Sequence, residues 1–166
     1  MKKALFSAIL LLHCVLAQAQ DYKRHTIYIF SFTRYVQWPE AYNQGDFEIV
    51  VLGDSPLFDE LKIMAQSKKV GERTIKVTKI ASASEIKRCN MLFIPADRPE
   101  KLSDILHKVD TQSILVVTEQ AGLGAQGSGI NFIAKEGKLA IEINQSALTK
   151  QNLKASIELT RLATMI

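Results

Sequence analysis

Four short apolar runs separated by stretches of helical spacing constrain this chain more than any other feature. Phe47–Leu52 (FEIVVL), Met91–Ile94 (MLFI) and Ser113–Thr118 (SILVVT) are almost unbroken by polar residues, and Thr74–Lys79 puts Ile75 and Val77 on one face. A strand that is apolar on both faces has to be covered on both, which is the pattern of a parallel sheet between helices. Between these runs, Leu57, Phe58, Leu61, Met64 and Ala65 recur at helical spacing. Asp97–Val109 places Leu102, Ile105, Leu106 and Val109 inward behind Pro99 in its first turn. The alternation predicts right-handed crossovers and a single-domain α/β fold with a mostly parallel sheet and flanking helices.

The ends of the chain add to this frame. An opening helix is expected over Asp21–Gln37, stopped ahead of Pro39 because the residue before a proline is pushed out of the helical region. All four tyrosines and the only tryptophan lie between Tyr22 and Tyr42. Tyr28, Ile29, Phe32, Tyr35 and Val36 form one broad face of that helix; Ile27 and Phe30, near Lys23 and Arg34, form a second. The first meets the sheet, and the second is expected under the terminal helix, with a partner as the other covering. Ile130–Ala134 and Lys138–Asn144, joined by Lys135-Glu136-Gly137, read as an antiparallel hairpin added to the sheet. A long C-terminal helix is expected from about Gln145, capped by Asn144 or Ser146. Its buried stripe would be Leu148, Ala155, Leu159, Leu162 and Ile166, with a spare stripe in Leu153 and Ile157.

Lys2 and Lys3, the apolar stretch Ala4–Leu16 and the small-x-small site Ala17-Gln18-Ala19 read as a secretory signal cleaved after Ala19. Residues 1–19 are assigned to the signal and 20–166 to the folded domain. The apolar stretch is too short to span a bilayer, and no later segment supplies the roughly 20 apolar residues a spanning helix needs, so an exported, soluble chain is expected. Lipid attachment at Cys14 is not expected, because His13 stands where such signals require a small residue. Losing Lys2 and Lys3 takes the charged residues from 21 basic against 17 acidic to about 19 against 17, a balance that implies no nucleic acid. Cys89 is then the one remaining cysteine, so no internal disulfide or thiolate metal cluster is expected, and a buried thiol beside a strand is.

Two motifs bear on catalysis and cofactors. Gly122-Leu123-Gly124-Ala125-Gln126-Gly127 matches G-x-G-x-x-G, but a dinucleotide site needs those glycines to open a helix, and here a strand follows. The expectation is a flexible loop and no cofactor. Val51-Leu52-Gly53-Asp54-Ser55 resembles the first block of the GDSL hydrolases, and Asp104-Ile105-Leu106-His107 their D-x-x-H pattern. That alternative makes Ser55 an esterase nucleophile. With Leu102, Ile105 and Leu106 turned inward, however, Asp104 and His107 point to solvent, and Ser55 is expected to start a helix instead. His25, near the start of the first helix, is expected at the surface or an edge. No metal site is expected.

Taken together, the residues resemble a family. Tyr28-x-x-x-Phe32-x-Arg34-Tyr35-Val36-x-Trp38-Pro39 is similar to the opening motif of the YfiR/HmsC-type periplasmic proteins. Phe47-x-Ile49-x-Val51-Leu52-Gly53-Asp54-Ser55-Pro56, Cys89-x-x-Leu92-Phe93-Ile94, Gly129-Ile130-Asn131-Phe132, Leu139-x-Ile141-Glu142-Ile143-Asn144 and Leu153-Lys154-Ala155-Ser156-x-x-Leu159-x-x-Leu162-Ala163 follow in order. The resemblance implies a non-catalytic repressor that binds the periplasmic segment of an inner-membrane diguanylate cyclase or sensor kinase. An outer-membrane lipoprotein that draws the repressor away is a further implied partner, and cyclic di-GMP and biofilm are the implied outputs. A homodimer is compatible with it. Relatives that carry disulfides differ from this chain, which keeps only Cys89.

Arg34, Tyr35 and Trp38 are the partner-binding candidates, since arginine and aromatics dominate binding hot spots. Asn131, Glu142 and Asn144 are the candidates for a polar ligand pocket, as charge and amides at the end of an apolar hairpin. A periplasmic small-ligand binder using the strand-end loops, where Asp54, Asp97 and Glu119 lie, is the further alternative.

Overall fold

Covering both faces of the inner strands organises the fold. The computed structural model describes residues 22–97 and 102–166; the expected signal segment, Cys14 and Pro99 lie outside them. In chain order the elements begin with α1 (22–35), β1 (Val36–Gln37), β2 (Phe47–Leu52), α2 (Leu57–Ser67), β3 (Lys69–Val70) and β4 (Arg73–Ile80). They continue with β5 (Met91–Ile94), α3 (Leu102–Val109), β6 (Leu115–Thr118), β7 (Ile130–Lys135) and β8 (Lys138–Ile143). The chain closes with α4 (Gln145–Lys150), β9 (Lys154–Ala155), α5 (Ile157–Thr160) and β10 (Thr164–Met165).

The main sheet has eight strands in the order β10-β8-β7-β6-β5-β2-β4-β3. From β7 to β4 every pairing is parallel, while β8 runs antiparallel to β7 and β3 antiparallel to β4. The hairpin turns through Glu136 and Gly137, both at positive φ (52° and 72°), which suits a two-residue turn to the twist of its strands. Phe47, Ile49 and Val51 of β2 pack with Ile29 and Phe32 of α1 and Leu57 and Leu61 of α2. Val50 and Leu52 face the other way, onto Leu102, Ile105 and Val109 of α3. Beyond β2 the chain passes to β4 on one side and then back to β5 on the other. The carboxyl ends of β2 and β5 therefore flank a switch point, the place where open α/β sheets leave a crevice for ligands.

Two expectations about helices are corrected. The first helix ends at residue 35, and Val36 and Gln37 are extended. They pair with Ala155 and Lys154 of β9, and the Ser156 N–H donates to the Tyr35 carbonyl at 2.8 Å, so a distant segment draws the chain out of the helix before Pro39 does. The C-terminus is not one long helix. Asn144 caps α4 through Ala147 N (2.9 Å), and α4 stops at Asn152, whose φ of 55° is left-handed. There the Leu153 N–H returns to the Leu148 carbonyl (2.9 Å) and the Asn152 N–H to Thr149 (3.0 Å), the double closure of a Schellman end with asparagine in the glycine place. Ser156 starts α5 by accepting from Leu159 N, and β10 then adds beside β8. Of the expected stripe, Leu148 and Leu159 are buried, whereas Leu162 (62%) and Ile166 (45%) are exposed; Leu153 is buried and Ile157 exposed.

Candidate functional site

The outward side of α1 is basic with an apolar centre. Lys23, Arg24 and Arg34 are exposed, Ile27 is 68% exposed, and residues 22–35 contain no acid. Ile27 is thus not under a terminal helix, as expected from the spacing, because that helix does not form. Phe30 is half-buried, with the Lys68 ammonium 5.8 Å from its ring centre. The three partner-binding candidates differ in setting. Arg34 is exposed with its guanidinium 5.9 Å from the ring of half-buried Tyr35, while Trp38 is only 8% exposed and meets Phe47 edge-on at 5.1 Å.

Asn131, Glu142 and Asn144 form a polar seam between the hairpin and the glycine-rich loop. Asn131 is fully buried; it accepts from Thr118 Oγ1 (2.7 Å) and donates to Glu142 Oε2 (3.1 Å). Asn144 donates to the Gly124 carbonyl at 2.9 Å while its own oxygen caps α4. A Cβ on Gly124 would stand 2.8 Å from Glu142 Oε2 and 2.8 Å from Ile166 Cδ1, so the loop lies directly on the seam. This loop leads into β7 and not into a helix, so it lacks the glycine-to-helix turn that receives a pyrophosphate in dinucleotide sites.

The strand-end groups are sorted by burial. Asp54 is exposed and pairs with Lys79 at 2.6 Å; Asp97 is exposed; Glu119, just past β6, is taken inside. Its Oε1 accepts from the Ala96 N–H (3.2 Å) and the Tyr22 hydroxyl (3.3 Å), while Oε2 stands 3.7 Å from His25 Nε2. The expectation of a surface His25 is corrected: it is 7% exposed, 4.4 Å from the Phe132 ring and 5.1 Å from Tyr22, because the first turn of α1 packs onto β7. Burial pushes the Glu119 carboxyl above its ordinary range, opposed by the two hydrogen bonds to Oε1. Burial and the neighbouring Glu119 push the Tyr22 phenol to about 12. A cavity of about 480 Å³ opens beside this cluster, lined by Tyr22, His25, Glu119, Phe132, Lys138 and Leu139 among others.

Ser55, Asp104 and His107 are not brought together. Ser55 Oγ accepts from Leu57 N at the start of α2 (3.3 Å), and Asp104 and His107 are exposed on α3, across the sheet from α2. The Tyr22, His25 and Phe132 participants were missed in the sequence reading. The signal available was the three-residue spacing of Tyr22 and His25, which puts both on one helix face.

A family model described as YfiR/HmsC-like matches residues 22–164. No curated protein matches the chain.

Proposed function

Because the chain belongs to the YfiR/HmsC-like family, we propose that it is a periplasmic regulator without catalytic activity that acts on cyclic di-GMP signalling. In this reading it binds the periplasmic segment of an inner-membrane diguanylate cyclase or sensor kinase and holds it inactive, and an outer-membrane lipoprotein competes for it. The observation that carries the reading is the outer side of α1: an exposed Ile27 between cationic Lys23, Arg24 and Arg34, on the segment with the family's opening motif. An apolar anchor inside a basic surround fits an acidic segment of a partner. No helix among the described residues is long and apolar enough to cross a membrane; in this reading the spanning helix is the partner's.

Repression requires that the regulator prefer the inactive conformation of its partner, since equal affinity for both states would shift nothing. The enzyme alternative draws no support from Ser55, whose oxygen is engaged at a helix start. The test is genetic and direct. A deletion strain should show altered cyclic di-GMP and biofilm, restored by the wild-type gene and not by a folded variant changed at Ile27 and Arg34. Full restoration by that variant would overturn the assignment of this face.

A further inference from the structure

We propose that the cavity between the first turn of α1, the ends of β5 and β6 and the β7–β8 hairpin binds a small organic cation, an amine carried on an aromatic ring or short apolar body. This site is distinct from the outer side of α1 and does not depend on the partner reading. Its position is the carboxyl edge of a mostly parallel sheet, and its volume of about 480 Å³ lies in the range of small-molecule sites.

The chemistry of the lining selects the ligand. Phe132 and Leu139 supply an apolar floor, and Tyr22 and His25 supply a second aromatic wall. Among the described lining residues the one carboxylate is Glu119, whose side chain is 10% exposed. Both of its hydrogen bonds fall on Oε1, from an amide and a phenol, and among the described residues no lysine or arginine stands within ion-pair distance of it. His25 lies 3.7 Å from Oε2, an ion pair only if the imidazole is protonated and beyond hydrogen-bond reach in either state. A carboxylate removed from water is stabilised by a cation that donates to it, so an ammonium at Oε2 supplies what the cluster lacks. The Tyr22 and Phe132 rings in the lining favour the same charge. Lys138 also lines the cavity, exposed at the hairpin turn, and defines the rival outcome of an anionic ligand held at the mouth.

The experiment uses the full mature chain and three probes of nearly equal shape: benzylamine, benzyl alcohol and benzoate, titrated by two-dimensional NMR. Benzylamine should shift the signals of Glu119, Phe132 and Leu139 and bind at least about tenfold tighter than benzyl alcohol, as a charge-assisted bond implies. Glu119→Gln should keep the fold and lose that preference. In the wild type, which needs no variant, acidification from about pH 8 to about pH 5 should weaken the amine and leave the alcohol unchanged. Protonation of Glu119, whose carboxyl is already pushed up by burial, acts in that direction; the other titratable groups beside it are His25, Asp97, Lys138 and Tyr22, whose phenol is pushed to about 12. Equal binding of amine and alcohol, no binding of either, or tighter binding of benzoate would each overturn the proposal.

Discussion

Trp38 donates its indole N–H to the main-chain carbonyl of Asn90 at 3.1 Å, joining the exit of the first helix to the entrance of β5. Asn90 is itself a junction. Its side chain accepts from Glu48 N (3.0 Å) and Arg73 Nη2 (3.3 Å) and donates to the Tyr42 carbonyl (3.0 Å), so one buried amide holds the amino ends of β2, β4 and β5 together. A family motif residue that could have been an interface anchor is, in this setting, part of the core.

Replacing Trp38 should therefore be read first as a folding experiment. Trp38→Ala empties a buried site and should cost about 3–5 kcal/mol in urea unfolding. Trp38→Phe keeps most of the volume and removes the indole bond, while Leu115 N still occupies the Asn90 carbonyl, so a cost of about 1–2 kcal/mol is expected. Equal costs for the two would mean that packing at Phe47 contributes nothing.

The outer side of α1 makes the opposite prediction. Ile27→Glu and Arg34→Ala change exposed groups and should alter stability by no more than about 0.5 kcal/mol. Binding to the partner's periplasmic segment, followed by calorimetry, should weaken by about 2 kcal/mol or more. Full affinity in both variants would move the interface elsewhere, to the hairpin or the C-terminal segment.

Asn152 carries the break between α4 and β9 with a φ of 55°. Asn152→Ala forces a Cβ without local hydrogen-bonding options into left-handed backbone and should cost about 1 kcal/mol, whereas Asn152→Gly should be neutral or stabilising. Thermal melts of the pair decide it, and an Ala variant as stable as the Gly one would contradict the conformation.

Glu119 should make stability fall as pH rises. Its folded pKa lies above the ordinary value of 4.5, so between the two values the folded chain holds a proton that the unfolded chain has released. The contribution is complete below the unfolded value and is lost as pH rises through the folded one. Glu119→Gln removes this dependence and keeps an oxygen for Ala96 N and Tyr22. The variant should gain on the wild type between acid and neutral pH in urea titrations, and a constant difference across that range would refute the burial argument.

Cys89 is buried in the α3-side core, and burial pushes its thiol up to about 12. A thiol reagent should therefore label it only as fast as the chain unfolds, with full reaction in denaturant. Rapid labelling of the native protein would mean that the strand beside it opens locally.

The apolar runs at 47–52, 91–94 and 113–118 and the hairpin at 130–143 were legible in the amino-acid order because each carries its own burial pattern. A strand covered on both faces is written mostly with apolar residues, and a two-residue turn with positive φ favours glycine, here Gly137. The exposed aspect of Asp104 and His107 followed from the same local logic, as did the failure of the glycine loop to open a helix. The C-terminal segment was not legible in this way. Leu148, Ala155, Leu159 and Leu162 keep helical spacing, yet Lys154–Ala155 gain backbone partners from Val36–Gln37, and Thr164–Met165 gain theirs beside β8. The cavity was also beyond local pattern: His25 reads as a surface residue until α1 docks on Phe132 and brings it to Glu119, a residue 94 positions away. Periodicity records which side chains avoid water, and the tertiary structure alone decides which distant backbone and carboxylate they meet.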